Sequence, residues 1–386
     1  MPAQAFDPNT QTKPRYVFVS HRSACEALRA NGADFPLWPE EPRLLPTRGD
    51  CVVGQRDLAR VSRVEGFNQL GIVSKPVDIL VPNSQFRHKG KQALTHPWSN
   101  LLPTNSMLRM RNHVLVSSPE FVLLQLANVH VRIVPSVDRA VDHWKDECEV
   151  WRLLGINEQP PFEDFRAWEK IASCIRVVRA AMEFAGTYRL PVHLGERAAY
   201  KQPQLTKLED VRSFMREIPR TNTYKHSAAF GSLEACLPWV VEHSRSPMET
   251  SLTLMLSLPV ECGGYGLPQP QLNVTPERFG EHEVEADLLW EDAKLVVEYD
   301  SEEFHASKGR DKIDADIIRA NKMRAAGYTV LEVTPGIAMD ARRMDTLARQ
   351  IAKLLCVSIE EKDCAVEDHV IRFRRQMLHR LLLFAE

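Results

Sequence analysis

The stretch EADLLWEDAKLVVEYDSEEFH, from Glu285 to His305, sets acidic side chains inside two apolar runs, where charge is expensive. In KLVVEYD, Lys294 to Asp300, strand alternation turns Glu298 and Asp300 to one face and Leu295, Val297 and Tyr299 to the other. Two carboxylates on one face repel each other and lose hydration unless they hydrogen bond, take up a proton or hold a cation. Hard oxygen ligands of this kind suit Mg2+ or Mn2+. A third carboxylate, Asp287, lies on the preceding apolar run ADLLW, and the polar EDAK between the runs has about the length of a hairpin connection. Such a hairpin brings Asp287 beside Glu298. Taken alone, Asp287 has a simple structural reading as a solvated or edge-protecting acid. Glu298 is different, because Leu295, Val296 and Val297 indicate a strand covered on both faces.

Downstream, DKIDADIIRANKMRAAGYTVLEVTP, from Asp311 to Pro335, reads as helix, glycine cap and strand. Ile313, Ile317 and Ala320 form an apolar stripe and Lys312, Asp316 and Arg319 a polar one; Gly327 stands where a C-cap belongs, and YTVLEV alternates. This order of pieces, an Asp in a first strand, Glu-x-Asp in a second, then a His and a basic helix, resembles the PD-(D/E)XK endonuclease superfamily. More narrowly, it is similar to the domain-of-unknown-function group related to very-short-patch-repair (Vsr) endonucleases. The resemblance covers residues 245–355 or so. It implies an α/β class, with a C-terminal restriction-endonuclease-like mixed sheet flanked by helices, preceded by an α+β N-terminal region.

The resemblance also implies chemistry: a metal-dependent endonuclease that hydrolyses nucleic-acid phosphodiester bonds, DNA first among them, in defence or repair. Its catalytic set would be Asp287, Glu298, Asp300 and His305, and its Mg2+ or Mn2+ ligands Asp287, Glu298 and Glu249. The superfamily pattern places Lys two residues after the Glu, and here Asp300 stands there instead. Vsr-like members also lack that Lys and rely on a His, which makes His305 the natural substitute, with Lys308 and Lys312 as nearby alternatives. Lys308, Lys312, Arg319 and Lys322 surround the expected site and would meet nucleic-acid phosphates. Two rival readings use the same residues: a catalytically silent nucleic-acid-binding or antitoxin-like regulator that keeps the fold, and an acidic cluster that merely organises it.

Upstream, SPMETSLTLMLSLP, from Ser246 to Pro259, reads as a helix with Ser246 at the N-cap, Pro247 at N1 and Glu249 at N3, a capping box. Glu249 is therefore either a capping residue or the first-helix metal ligand that superfamily members often carry. Glu285, on the face of Asp287, is a reserve ligand or a surface charge. The loop GGYGLPQPQLN, from Gly263 to Asn273, is rich in turn formers and opens no helix, which excludes a phosphate-cradling loop. SPMET followed by GGYGLPxPxxN reinforces the resemblance, and the preceding region is weakly similar to those of related bacterial proteins, some of them AbiEi-type antitoxins.

At 386 residues and a net charge of −2, the chain is long enough for two or three domains and exerts no global attraction on nucleic acid, so any such surface must be local. Beyond the basic helix, Arg372, Arg374, Arg375 and Arg380 are candidates, although they also suit the solvated face of a terminal helix packing Ile371, Met377, Leu378 and Leu381 to Leu383. The eight cysteines lack CxxC or Cys/His spacing, which argues against zinc and for free thiols in a reducing cytoplasm. No apolar run approaches membrane-spanning length, and MPAQAFDPNTQTKPRY has no leader-like apolar core, so the expectation is a soluble cytoplasmic protein without membrane contact.

The organisation expected along the chain is a disordered tail over 1–14, an N-terminal α+β domain over 15–128, a mainly helical middle region and connector over 129–243, the nuclease-like domain over 244–357 and a terminal helix over 358–386. Within the first half, VDILVP at Val77 to Pro82 reads as a strand. HVLVSSPEFVLLQLA at His113 to Ala127 reads as a strand followed by a helix that Ser118 caps and Pro119 opens. A helix is expected over 162–184, with Phe165, Trp168, Ala172 and Ile175 on one face and Gly186 as a stop, and residues 189–226 read as loop.

Overall fold

The computed structural model describes residues 15–46, 50–52, 58–59, 62–63, 65–132, 145, 148–149, 162–193, 195–221, 228–279, 284–300, 310–359 and 368–383. The tail expected over 1–14 lies outside that set. Among the described residues the chain is mixed α/β, with twelve strands in three sheets and ten α-helices. It divides into two compact units. The first comprises Met1–Leu126, Pro191–Glu196 and Glu209–Gly231, and the second Ala127–Leu190, Arg197–Leu208 and Ser232–Glu386.

Three short buried strands, VFV, VDILV and VLVS, form the centre of the sheet in the first unit. Its six strands are β1 (Val17–Val19), β2 (Leu37–Trp38), β3 (Val77–Val81), β4 (Ala93–Pro97), β5 (Met107–Arg111) and β6 (Val114–Ser117), in the order β2-β5-β6-β1-β3-β4. β1 runs parallel to β6 and antiparallel to β3, so VFV is buried at the middle of the sheet. Helix α1 (His21–Asn31) follows β1, and α2 (Pro119–Arg132) follows β6. The α2 start is as the sequence indicates: Ser118 Oγ accepts from Phe121 N–H at 3.4 Å and Pro119 is the first helical residue.

Beyond α2 come α3 (Phe162–Phe184), the two-residue strands β7 (Tyr188–Arg189) and β8 (Ala199–Tyr200), α4 (Leu208–Thr221) and α5 (Ala228–Cys236). Phe165, Trp168, Ala172 and Ile175 of α3 are all buried, on the face their spacing predicts. The loop expected over 189–226 is corrected by α4, whose Val211, Phe214, Met215 and Ile218 recur at helical spacing and are buried. Interspersed charges and Pro219 hide that stripe in the sequence.

The second unit then builds α6 (Pro247–Ser257) and a four-stranded sheet from β9 (Gln271–Val274), β10 (Ala286–Trp290), β11 (Leu295–Tyr299) and β12 (Thr329–Val333). Helix α7 (Arg310–Ala325) connects β11 to β12, and α8 (Pro335–Ala338), α9 (Ala341–Leu354) and α10 (Asp368–Leu383) complete the chain. The strand order is β12-β11-β10-β9, antiparallel except for the parallel β11–β12 pair. Trp290 opposite Leu295 makes EDAK the hairpin connection, closed by Lys294 N–H donating to Glu291 O at 2.9 Å. Gly327, at φ 90°, ends α7.

Of the stripe expected on α7, Ala320 is buried and Ile317 is not, while the Ile313 side chain lies outside what the structure describes. Ile317 and Ile318 are 53% and 56% exposed, whereas Ala320 and Met323 are buried, Met323 in a core with Leu289, Val296 and Tyr328. Arg319, beside Ala320 in the sequence, reaches the sheet at Glu298.

The glycines of GGYGLP serve close packing. A side chain on Gly263, at φ 88°, would meet the Arg374 carbonyl, and one on Gly264 would run into the Leu258 carbonyl. The loop is pressed between α6 and α10.

Candidate functional site

Continuing the β10–β11 register by one residue pair from Leu288 opposite Val297 sets Asp287 opposite Glu298. Asp287 is tied to β11 twice: its N–H donates to Glu298 Oε1 at 3.3 Å, and its Oδ2 accepts from Tyr299 N–H at 2.8 Å. Glu298 is only 7% exposed. A buried carboxylate there needs a cation, and Arg319 of α7 supplies one, its Nη2 donating to Glu298 Oε2 at 2.6 Å. Its Nη1 donates to the Glu285 carbonyl at 3.4 Å. Arg319, expected at a nucleic-acid surface, is thus engaged inside the acidic cluster.

Glu249 arrives from α6. Ser246 Oγ accepts from Glu249 N–H at 3.1 Å, and Glu249 Oε2 reaches back to the Arg245 N–H at 2.8 Å, so the residue does take part in capping. The same oxygen accepts from Asn273 Nδ2 at 2.6 Å. Capping does not remove Glu249 from the cluster. Burial first, then the negative charge of Asp287, pushes its carboxyl up from 4.5 to about 7, against the lowering by its hydrogen bonds. Capping and cluster membership, which the sequence sets as alternatives, coexist.

Two residues that sequence reasoning missed hold this arrangement. Asn273 closes the GGYGLPQPQLN motif, and its φ of 53° aims the amide at Glu249 while Nδ2 also donates to His243 O at 2.9 Å. Arg245 grips Glu285 through both guanidinium nitrogens at 2.5 and 3.0 Å, which makes the reserve ligand part of a half-exposed ion pair. Glu285 holds Arg245 above the ordinary guanidinium range, with Glu249 and Asp287 adding to the effect. Asp300 follows β11 directly, its N–H donating to Val333 O at 2.9 Å, and is partly exposed. Lys322 is exposed in the last turn of α7 and Lys312 lies in its first turns. His305 and Lys308 fall outside the described residues.

The chemistry of this donor set can be weighed against a divalent cation. Among the described residues no group of three or more His, Cys, Asp or Glu is arranged to hold a metal ion. Mg2+, however, commonly takes one or two protein carboxylates and fills its octahedron with water and substrate phosphate. Glu249 and Asp287 are such a pair, with a mutual repulsion that a cation relieves. Glu298, already neutralised by Arg319, is a ligand only if that ion pair opens.

The first unit carries a separate polar cluster, invisible in the sequence because its members lie far apart along the chain. His96 Nε2 lies 2.7 Å from Asp78 Oδ1, and the His21 ring stacks on His96 at 3.7 Å between centroids. His21 has φ 49°, in the left-handed region; its N–H donates to Gln125 Oε1 at 2.9 Å and its Nδ1 lies 3.0 Å from Ser20 Oγ.

No family model matches the sequence, and no solved structure does. A stretch of 120 residues is 31% identical to "Uncharacterized protein MT2308" and equally to "Uncharacterized protein Rv2248", from two strains of Mycobacterium tuberculosis. The match takes in 31% of this chain and 40% of each relative, so the chain spans less than half the length of the relatives it matches. Among the described residues no helix is long and apolar enough to cross a membrane. Seven free cysteines are described, of which Cys356 alone is exposed.

Proposed function

We propose that the second unit is a restriction-endonuclease-like domain of the Vsr-related kind, and that the chain is a Mg2+- or Mn2+-dependent endonuclease hydrolysing nucleic-acid phosphodiester bonds, those of DNA first. The observation that carries this reading is the convergence of Glu249, Asp287 and Glu298, from one helix and two antiparallel strands, with Glu249 kept from full ionisation by burial and by Asp287. Three carboxyl groups drawn together at a sheet need a proton, a guanidinium or a cation between them, and the guanidinium of Arg319 goes to Glu298 while Glu249 is raised toward its protonated form. Glu249 and Asp287 would hold the cation, which when bound lowers the pKa of an attacking water and polarises the phosphate. Tyr299 N–H and Asn273 Nδ2 fix the directions of the two carboxylates. Arg319 keeps Glu298 neutralised until substrate arrives and can pass its guanidinium to a phosphate oxygen.

One observation favours a second reading, a silent nucleic-acid-binding or antitoxin-like regulator: Arg319 occupies Glu298 while Asp300 stands where the superfamily carries Lys. Cleavage of supercoiled DNA, linear duplex, single-stranded DNA and RNA in Mg2+ or Mn2+ against EDTA, with Asp287→Ala and Glu298→Ala in parallel, separates the two. Divalent-dependent cutting lost in both variants supports the nuclease. Binding with no cutting by the wild type supports the regulator.

A further inference from the structure

Helices α9 and α10 face each other across a cavity of about 430 Å³ lined by Arg342, Asp345, Arg349, Asp368, Arg372 and Arg375. Four guanidinium groups meet two carboxylates, and those are not evenly shared. Asp345 serves two arginines, Arg349 at 2.9 Å and Arg375 at 3.4 Å. Asp368 stands in the first turn of α10. Arg342 and Arg372 are exposed and form no ion pair among the described residues. Arg375 is held in place, its side chain 15% exposed and its guanidinium 4.3 Å from the centre of the Tyr265 ring. In a chain of net charge −2, this is a local excess of positive charge built into a concave surface.

We propose that this arginine cavity is a phosphate-backbone contact of the nucleic acid on which the second unit acts; the inference rests on the nucleic-acid reading above. Guanidinium forks match phosphate oxygens bidentately, whereas lysines act as point charges. Arg342 and Arg349 lie seven residues apart on one helix, roughly 10 Å along its axis. A strand carrying one phosphate per ~3.4 Å of axis presents several charges over that length, so the site fits a polyphosphate backbone better than a single anion. Its position also fits. β12 ends beside Asp300, whose N–H bonds the Val333 carbonyl at 2.9 Å, and the chain passes from there through α8 directly to Arg342. Arg342 therefore follows the last residue of β12 by only nine positions along the chain.

The test is equilibrium binding of labelled duplex DNA, single-stranded DNA and RNA in EDTA, where no turnover occurs, using the full chain. Arg342→Gln/Arg372→Gln removes two exposed charges and leaves Arg375 and the core untouched. Expected is unchanged thermal stability, weaker binding, and a salt slope lowered by roughly 1 per arginine. Between about 50 and about 200 mM salt the wild type should then lose roughly ten-fold more affinity than the double variant. Equal affinity and slope for the two proteins would overturn the inference, and so would equally tight binding of poly-glutamate, which would make the surface a docking site for acidic protein. A divalent-dependent cleavage assay on the wild type and the double arginine variant separates the two failures. Cleavage with arginine-independent binding sinks this inference alone, and arginine-dependent binding without divalent-dependent cleavage sinks the nuclease reading alone.

Discussion

Replacing Glu249 by glutamine should make the protein more stable at alkaline pH and less sensitive to pH altogether. Burial and Asp287 raise the Glu249 carboxyl from 4.5 to about 7. The folded chain thus holds this proton more tightly than the unfolded chain, so the stabilisation is complete below pH 4.5 and is lost as pH rises through about 7. At about 1.4 kcal/mol per pH unit, the gap corresponds to on the order of 3 kcal/mol. The amide of Glu249→Gln cannot ionise, yet it keeps an oxygen for the Arg245 N–H and for Asn273, losing about 1 kcal/mol from the weaker acceptor. Wild type should therefore lead slightly near pH 5 and trail by about 2 kcal/mol near pH 8. Guanidinium unfolding followed by far-UV circular dichroism across that range reads the difference directly. A divalent cation adds a second arm: at pH 8, Mg2+ or Mn2+ should raise the midpoint of the wild type and leave the variant where it was. Parallel pH profiles for the two proteins would refute the reasoning, because they would mean that Glu249 is not forced toward its neutral form. An equal cation shift in both would remove Glu249 from the proposed centre.

Other consequences are more local. Arg319→Gln strands Glu298 in a nearly dry site and should destabilise by roughly 1–3 kcal/mol, discounted for the partial exposure of the arginine; Glu298→Gln in the same chain should restore most of it in a double-mutant cycle. Ser246→Ala removes the acceptor for the Glu249 N–H and should lower the unfolding free energy by about 1 kcal/mol, read by denaturant midpoint. Gly264→Ala drives a methyl group into the Leu258 carbonyl and should shift the same midpoint by roughly 1–3 kcal/mol, whereas Gly231→Ala, with open space around it and no left-handed backbone, should cost less.

What the sequence makes legible is local. Apolar runs separated by EDAK define a hairpin within a few residues, and its register follows from the position of the turn, so Asp287 beside Glu298 can be read directly. Ser246-Pro247 and Ser118-Pro119 mark helix starts through contacts spanning three residues. The partners of the acids cannot be read in the same way. Asn273 meets Glu249 across 24 positions and Arg245 meets Glu285 across 40, and no short-range pattern encodes either meeting. Arg319 escapes a sequence reading for a different reason. The spacing puts Arg319 on the polar side of α7 and Ile317 on the apolar one, but Met323 packs with Leu289 and Val296 while Ile317 stays exposed. The His21, Asp78 and His96 cluster likewise depends on three elements meeting in space.

The place of α3 sets a limit on dissection of this chain. Phe162–Phe184 precedes the stretch that resembles a nuclease, yet it packs against α6, the bearer of Glu249, and against α10. Arg179 Nη1 donates to the Leu381 carbonyl at 3.5 Å, so the contact extends to the terminal turn of α10. A fragment begun at residue 244 would keep every proposed ligand and still expose the apolar flank of α6 to water. Such a fragment should aggregate or lose cooperativity, and inactivity in it would say nothing about chemistry. The smallest piece that tests the acidic centre fairly starts before α3, and homologous regions compared by motif alone will be cut too short.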